Sequence, residues 1–309
     1  MSGALERIER GLGGAGIVER LAALRRSDLT TLLMAVISKR SATVSPIALL
    51  ERFRQDAFVA PASADPRRRV EFERFAYEAA AAFDPVDLSP LAPLGTCAAV
   101  APVSANLIEH TTRGREVVSD PSNVLALEAA RRRAGRMAEE GKRAAPVRLC
   151  TSHRVVRTPR ASGLGMLQHF GIFALLTSGR SRAGVSFELE SIREHIRAHL
   201  SLMAHAGVGR PRVTLYDRSA CQQEQLEQQV LAPLCEVHDL VGSVRTDRSG
   251  ARTYYPGLSF QLDCDDTGAN IADGGVVDWT ARLLSNDREC CIISGCGIDR
   301  LLHPPAVAT

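Results

Sequence analysis

Segment 153–175 constrains this chain more than any other, because it reads as two apolar strands joined by a turn. Val155 and Val156 are β-branched, Thr158-Pro159 interrupts the run, and Ser162, Gly163 and Gly165 supply turn conformations. An apolar run then resumes from Phe170 to Leu175. That pattern specifies an antiparallel hairpin, which needs further strands to bury its faces. Arg154, Arg157 and Arg160 lie along one limb and its loop, where a planar guanidinium can grip a phosphate with two hydrogen bonds. The same three charges would also suit a solvated surface hairpin.

The far end of the chain narrows the choice. Asp273-Gly274-Gly275-Val276-Val277-Asp278 precedes a polar stretch, and an apolar strand from Cys290 then runs through Gly295 and Gly297 into a helix bearing Asp299 and Arg300. An arginine-bearing hairpin followed by Gly-x-Gly-x-x-Arg resembles motifs 2 and 3 of the class II aminoacyl-tRNA synthetases. Among them the chain is most similar to the histidyl-tRNA synthetase group. That group's Tyr-Tyr-Thr-Gly-x-x-Phe-Glu resembles Tyr254-Tyr255-Pro256-Gly257-Leu258-Ser259-Phe260-Gln261, and its Gly-Gly-Gly-Arg-Tyr-Asp resembles segment 273–278. The resemblance covers 66–309 and implies an α+β fold, an antiparallel sheet flanked by helices.

The resemblance also implies ATP as cofactor, with Mg²⁺, and a small carboxylic or amino acid activated as an acyl-adenylate. Carried over by position, Arg154 would take the α-phosphate and Arg300 the γ-phosphate and adenine, with Arg157 and Phe170 beside them. Asp120 and Ser122 stand where the group's Leu-Arg-Pro-Glu-x-Thr segment holds the substrate amino group; Tyr254, Tyr255, Gln261 and Asp278 would complete the substrate side. Several positions depart from the pattern. Val156 replaces the motif 2 glutamate, Gln261 a glutamate and Val276 an arginine; the arginine before the tyrosine pair is displaced toward Arg252; and Leu167, His169 and Phe173 stand where Phe-x-Gln and Glu are expected. Histidine recognition is therefore not expected. The chain stops nine residues after Arg300, so no anticodon-binding domain and a non-tRNA acceptor are expected.

Ahead of this core, apolar residues recur at helical spacing: Leu5, Ile8 and Leu12, then Ile17, Leu21 and Leu24, then Leu29, Leu32, Leu33 and Val36. Asp28 reads as the N-cap of the third of these helices, and Ser45-Pro46 starts a fourth. Residues 1–62 thus form a small helical unit, and 60–66 a linker. Helix 70–83, running into the proline-marked stretch 88–94, resembles motif 1 and implies a homodimer. Residues 98–103 read as a strand. Segment 130–145 is rich in arginine but has no aromatic residue to stack bases, which speaks against RNA and for a solvated helix face. His195 and His199 lie four apart, yet no glutamate stands between them as in a zinc-binding helix, so a metal role is not expected.

Eight cysteines without a Cys-x-x-Cys pair read as buried thiols. Without an apolar leader or a long apolar window, a cytoplasmic location and no membrane partner are expected. Three readings remain open: a stand-alone ATP-dependent ligase, a non-catalytic paralog that binds an amino acid or nucleotide and regulates a partner enzyme, and an RNA-binding factor.

Overall fold

A computed structural model describes residues 2–158, 167–246 and 254–303. The chain divides into two compact units, Met1–Ala60 with His110–Arg115, and Pro61–Glu109 with Glu116–Thr309.

The first unit holds α1 (Ser2–Gly11), α2 (Ile17–Ala22), α3 (Arg26–Ser41) and α4 (Pro46–Gln55). The Ser45 side chain accepts from Ala48 N and Pro46 follows it, so α4 starts where the capping signal placed it. Helix α3 begins three residues earlier than expected: Arg25 is its N-cap, and Asp28 lies in the first turn, where a carboxylate favours the helix dipole. No single helix among the described residues is long and apolar enough to cross a membrane.

The second unit is built on an eight-stranded sheet. Its elements are α5 (Pro66–Ala79), β1 (Asp84–Pro85), β2 (Leu91–Pro93), α6 (Thr96–Val100) and, after β3 (His110–Thr111) of the first unit, β4 (Arg115–Val117) and α7 (Pro121–Glu140). There follow β5 (Val147–Val156), β6 (His169–Arg180), α8 (Ser186–His205), β7 (Pro211–Asp217), α9 (Gln223–Leu226), α10 (Ala232–Cys235) and β8 (Val241–Arg245). The last are β9 (Leu258–Cys264), β10 (Asn270–Val277), α11 (Trp279–Leu284), β11 (Glu289–Gly297) and α12 (Ile298–Leu302). Strand order is β1-β5-β6-β11-β10-β9-β7-β8, antiparallel except for the outer pairs β1–β5 and β7–β8. The expected hairpin is β5–β6, with Arg154 opposite Gly171 and Val155 opposite Phe170. Its loop residues Arg160, Ser162, Gly163 and Gly165, like Arg252, fall outside the described residues.

Two cores flank this sheet. Helices α5 and α8 cover one face, where Phe173, Leu175, Ile192 and Phe260 are buried. Helices α7 and α11 cover the other, with Leu125, Leu149, Val155, Ile172 and Ile293. Residues 98–103 do not form the expected strand. Gly95 takes a left-handed φ of 91°, and the buried Glu116 carboxylate accepts from Gly95 N at 2.7 Å and Cys97 N at 2.8 Å, fixing the start of α6. That carboxylate arrives from a residue about twenty positions later, so local pattern did not show it.

Candidate functional site

On the α7 face of the sheet, the second unit encloses a cavity of about 560 Å³. The hairpin, the start of α7, the Tyr254-Tyr255 segment and the junction of β11 with α12 all supply its walls.

At the start of α7, Asp120 caps the helix through its side chain, which accepts from Ser122 N at 3.0 Å and also from the Ser122 hydroxyl. Its second oxygen accepts from Tyr254 Oη at 3.0 Å. Burial, reinforced by the Asp120 carboxylate, holds the Tyr254 phenol protonated well above its ordinary range, so it remains a donor. Tyr254 is further fixed edge-on against Tyr255 and Trp279. One turn into α7, Asn123 is 1% exposed and donates from Nδ2 to Cys97 Sγ at 3.3 Å, while Oδ1 has no partner. Asp273 and Asp299 also line the cavity. This wall is rich in acceptors and suits a ligand that presents N–H donors.

The other wall carries the cations. Arg157 lies over the Phe170 ring at 5.2 Å and donates from Nε to Ser119 O at 3.4 Å. Arg300, exposed at the start of α12, donates to Asn270 O. Between the walls, Ile172, Ile271 and Ile293 form an apolar floor, and Gly295 and Gly297 expose bare backbone.

Seven of the ten site residues read from the sequence line this cavity: Asp120, Ser122, Arg157, Phe170, Tyr254, Tyr255 and Arg300. Arg154, Gln261 and Asp278 do not. The expectation that Arg154 and Arg300 face each other over one cavity is corrected by the two-residue period of β5. Val155 is buried with Ile172 in the α7-side core, so its neighbour Arg154 points toward the α5 side. There its guanidinium donates to His169 Nδ1 at 2.9 and 2.7 Å and stands 3.9 Å from Asp299, whose other oxygen accepts from Gly171 N at 2.6 Å. Partial burial lowers the Arg154 pKa, and Asp299 opposes that shift. Gln261 donates to Asp263 at 2.8 Å, and Asp278 pairs with Arg282 at 3.4 Å as the N-cap of α11. Asn123, Asp273 and Asp299 were overlooked as site residues, although all three stand inside or beside the quoted motifs. The wall residues Val103, Leu107 and Ile108 carry no sequence signal at all.

No protein-family model matches the sequence, and no curated protein matches it. Solved structures do. A histidine–tRNA ligase subunit from Alicyclobacillus acidocaldarius matches 79% of this chain and 94% of its own, at 14% identity and TM-score 0.55. An ATP phosphoribosyltransferase regulatory subunit/histidyl-tRNA synthetase from Bacillus halodurans matches 80% and 82%, at 12% identity and TM-score 0.57. A pyrrolysyl-tRNA synthetase from Desulfitobacterium hafniense matches 82% and 72%, at 12% identity and TM-score 0.51. The core therefore has a class II aminoacyl-tRNA synthetase-like fold of the histidyl kind. At these identities the likeness carries the fold alone.

Proposed function

We propose that the cavity binds ATP together with a small amino or carboxylic acid and joins them as an acyl-adenylate. The observation that carries this reading is the meeting of Arg157 and Arg300 with the Asp120–Tyr254–Asn123 wall in one cavity. A carboxylate oxygen of the acid attacks the α-phosphorus, the bond to the bridging oxygen breaks, and pyrophosphate leaves. The chain supplies no covalent nucleophile for this step. Its contribution is to orient the two reactants and to place guanidinium charge on the phosphate oxygens. Arg157 takes the place on the cavity that sequence reading gave to Arg154. Asp120, Asp273 and the free acceptor of Asn123 suit an ammonium group. Asp273 and Asp299 line the cavity and would be the carboxylates to hold Mg²⁺, which would neutralise phosphate charge there. Among the described residues no group of three metal-ligating side chains is preassembled.

A second reading is favoured by the displacement of Arg154. Among the described residues that line the cavity, Asp120, Asp273 and Asp299 stand beside two cations, Arg157 and Arg300, and this acidic wall suits an amine-bearing ligand. On that reading the protein binds an amino acid and regulates a partner enzyme.

ATP–pyrophosphate exchange with pooled amino and carboxylic acids separates the two. Gly297 has an ordinary φ of −77°, and an added Cβ would stand 3.7 Å from Arg300 Cβ with no closer neighbour. Gly297→Ala therefore leaves folding intact and places a methyl on the cavity floor. Both Gly297→Ala and Arg300→Ala are expected to lower exchange at least tenfold, about 1.4 kcal/mol, at unchanged melting temperature. Absence of exchange in the parent with every acid, alongside thermal stabilisation by an amino acid alone, would instead establish the regulatory reading.

A further inference from the structure

Asn123 carries a polar atom that the fold leaves unsatisfied. It lies one turn into α7, is 1% exposed and lines the cavity, and its Oδ1 has no hydrogen-bond partner. Burial of an acceptor without a donor costs stability, so such an atom on a cavity wall points to a ligand that completes it. The other end of the amide is fixed. Its Nδ2 donates to Cys97 Sγ at 3.3 Å, and that sulfur stands 3.3 Å from Ser119 Oγ. Cys97 is itself held by its backbone N–H, which donates to Glu116 at 2.8 Å. Burial raises the Cys97 pKa, so the thiol keeps its proton, donating to Ser119 while accepting from Asn123. Turning the amide over would leave an NH₂ group unpaired where one oxygen is now, which is the worse of the two losses.

Charge decides what that oxygen can take. Asp120 and Asp273 are only half-buried and carry the negative charge that an ammonium needs. A cation brought instead to the fully buried, neutral amide would give up its hydration without a counter-charge. The wall residues Val103, Leu107 and Ile108 offer no competing side-chain hydrogen bond. We infer that Asn123 is a specificity-determining residue of the cavity, its Oδ1 accepting from an uncharged N–H in the side chain of the acid, a carboxamide or a ring N–H, while the carboxylates hold the ammonium. Cys97 is the positioning residue that fixes the amide. The inference rests on the proposed binding of an acid in this cavity, but not on the chemical step that follows.

The test is calorimetric binding to the full chain of ligand pairs that differ in that one N–H. One pair is L-glutamine and the γ-methyl ester of L-glutamate; the other is L-tryptophan and its benzothiophene analogue. In the parent, the N–H-bearing member of one pair is expected to bind at least tenfold more tightly than its counterpart. Asn123→Leu keeps a branched side chain without polar atoms and should bring that ratio to within twofold of unity. Asn123→Asp should strengthen the binding of L-ornithine at least tenfold. A merely structural role would lower the melting temperature and weaken every ligand alike, with the ratio unchanged. Equal affinities within both pairs in the parent, binding of none of the four, or a ratio that survives Asn123→Leu overturns the inference. ATP–pyrophosphate exchange measured alongside separates the two proposals. Exchange with acids lacking a side-chain N–H, at the same affinity as those bearing one, sinks the role of Asn123 and leaves adenylate formation standing. A tenfold ratio without exchange does the reverse.

Discussion

Glu289→Ala is expected to cost about 3–5 kcal/mol of folding stability and to lower the melting temperature by roughly 10 °C. Glu289 opens β11, and Arg133 lies on the inner side of α7; both side chains are fully buried. Arg133 Nε donates to one carboxylate oxygen at 2.6 Å and a terminal nitrogen to the other at 3.2 Å. The remaining nitrogen donates to Ala144 O at 2.8 Å and Ala145 O at 2.9 Å. Because the Arg133 side chain is fully buried, removal of the carboxylate leaves an uncompensated cation. A hydrophobic pair distinguishes that cause from lost packing. Arg133→Met/Glu289→Leu removes both charges but takes the Arg133 donor from the Ala144 carbonyl and leaves Ala145 O only Arg136 at 3.4 Å, so it should fall between the parent and Glu289→Ala. Chemical denaturation of the three proteins measures this order. A melting temperature for Glu289→Ala within 2 °C of the parent, roughly the effect of 1 kcal/mol or less in a domain of this size, would contradict the argument.

The same helix shows how much could be read in advance. The Asp120-Pro121 start of α7 is a capping signal in the sequence, and the structure uses it as one. The hairpin, the glycine-rich strand β11 and the helical spacing before residue 60 were likewise local patterns that tertiary contacts did not override. Arg154 was misplaced although the information needed lay beside it. Val155 had to be buried, and strand alternation then puts Arg157, two residues on, on the same side as Val155 and turns Arg154 away. Motif wording favoured Arg154; the strand period favoured Arg157. The start of α6 belongs to a different class, because Glu116 reaches it from a distant strand, and no window around residue 97 contains that fact. The absence of a core in the first unit also eluded pattern reading. Amphipathic spacing shows which side of a helix is apolar but not what covers it.

Acidification below pH 6.5 is expected to remove about 3 kcal/mol of stability through one buried histidine, and His199→Phe should abolish that share. His195 and His199 project from α8 onto the back of β11, where Ser294 Oγ lies 2.8 Å from His195 Nδ1 and 2.8 Å from His199 Nε2. His195 Nε2 is 2.9 Å from Thr177 Oγ1, and His199 Nδ1 is buried without a partner. One hydroxyl cannot donate to both rings. A bare acceptor nitrogen is cheaper to bury than an unpaired N–H, so the network runs in one direction. His199 Nε2–H donates to Ser294, Ser294 donates to His195 Nδ1, and His195 Nε2–H donates to Thr177. Protonation of His199 would place a second N–H at Nδ1, where no acceptor waits. Burial accordingly pulls its pKa down to about 4, and burial with the neighbouring His199 and Arg148 lowers that of His195 well below the usual value. The unfolded chain takes up the His199 proton near pH 6.5, the folded chain only near pH 4, so stability present above 6.5 is lost as pH falls between the two. A fall from 6.5 to about 4 corresponds to about 3 kcal/mol. Carboxylates also titrate in that range, but they do so equally in parent and variant. The readout is therefore the difference between their denaturation free energies at pH 7.5 and pH 4.5. Parallel curves for parent and His199→Phe would show that His199 is already charged in the folded protein and that the assigned hydrogen-bond direction is wrong.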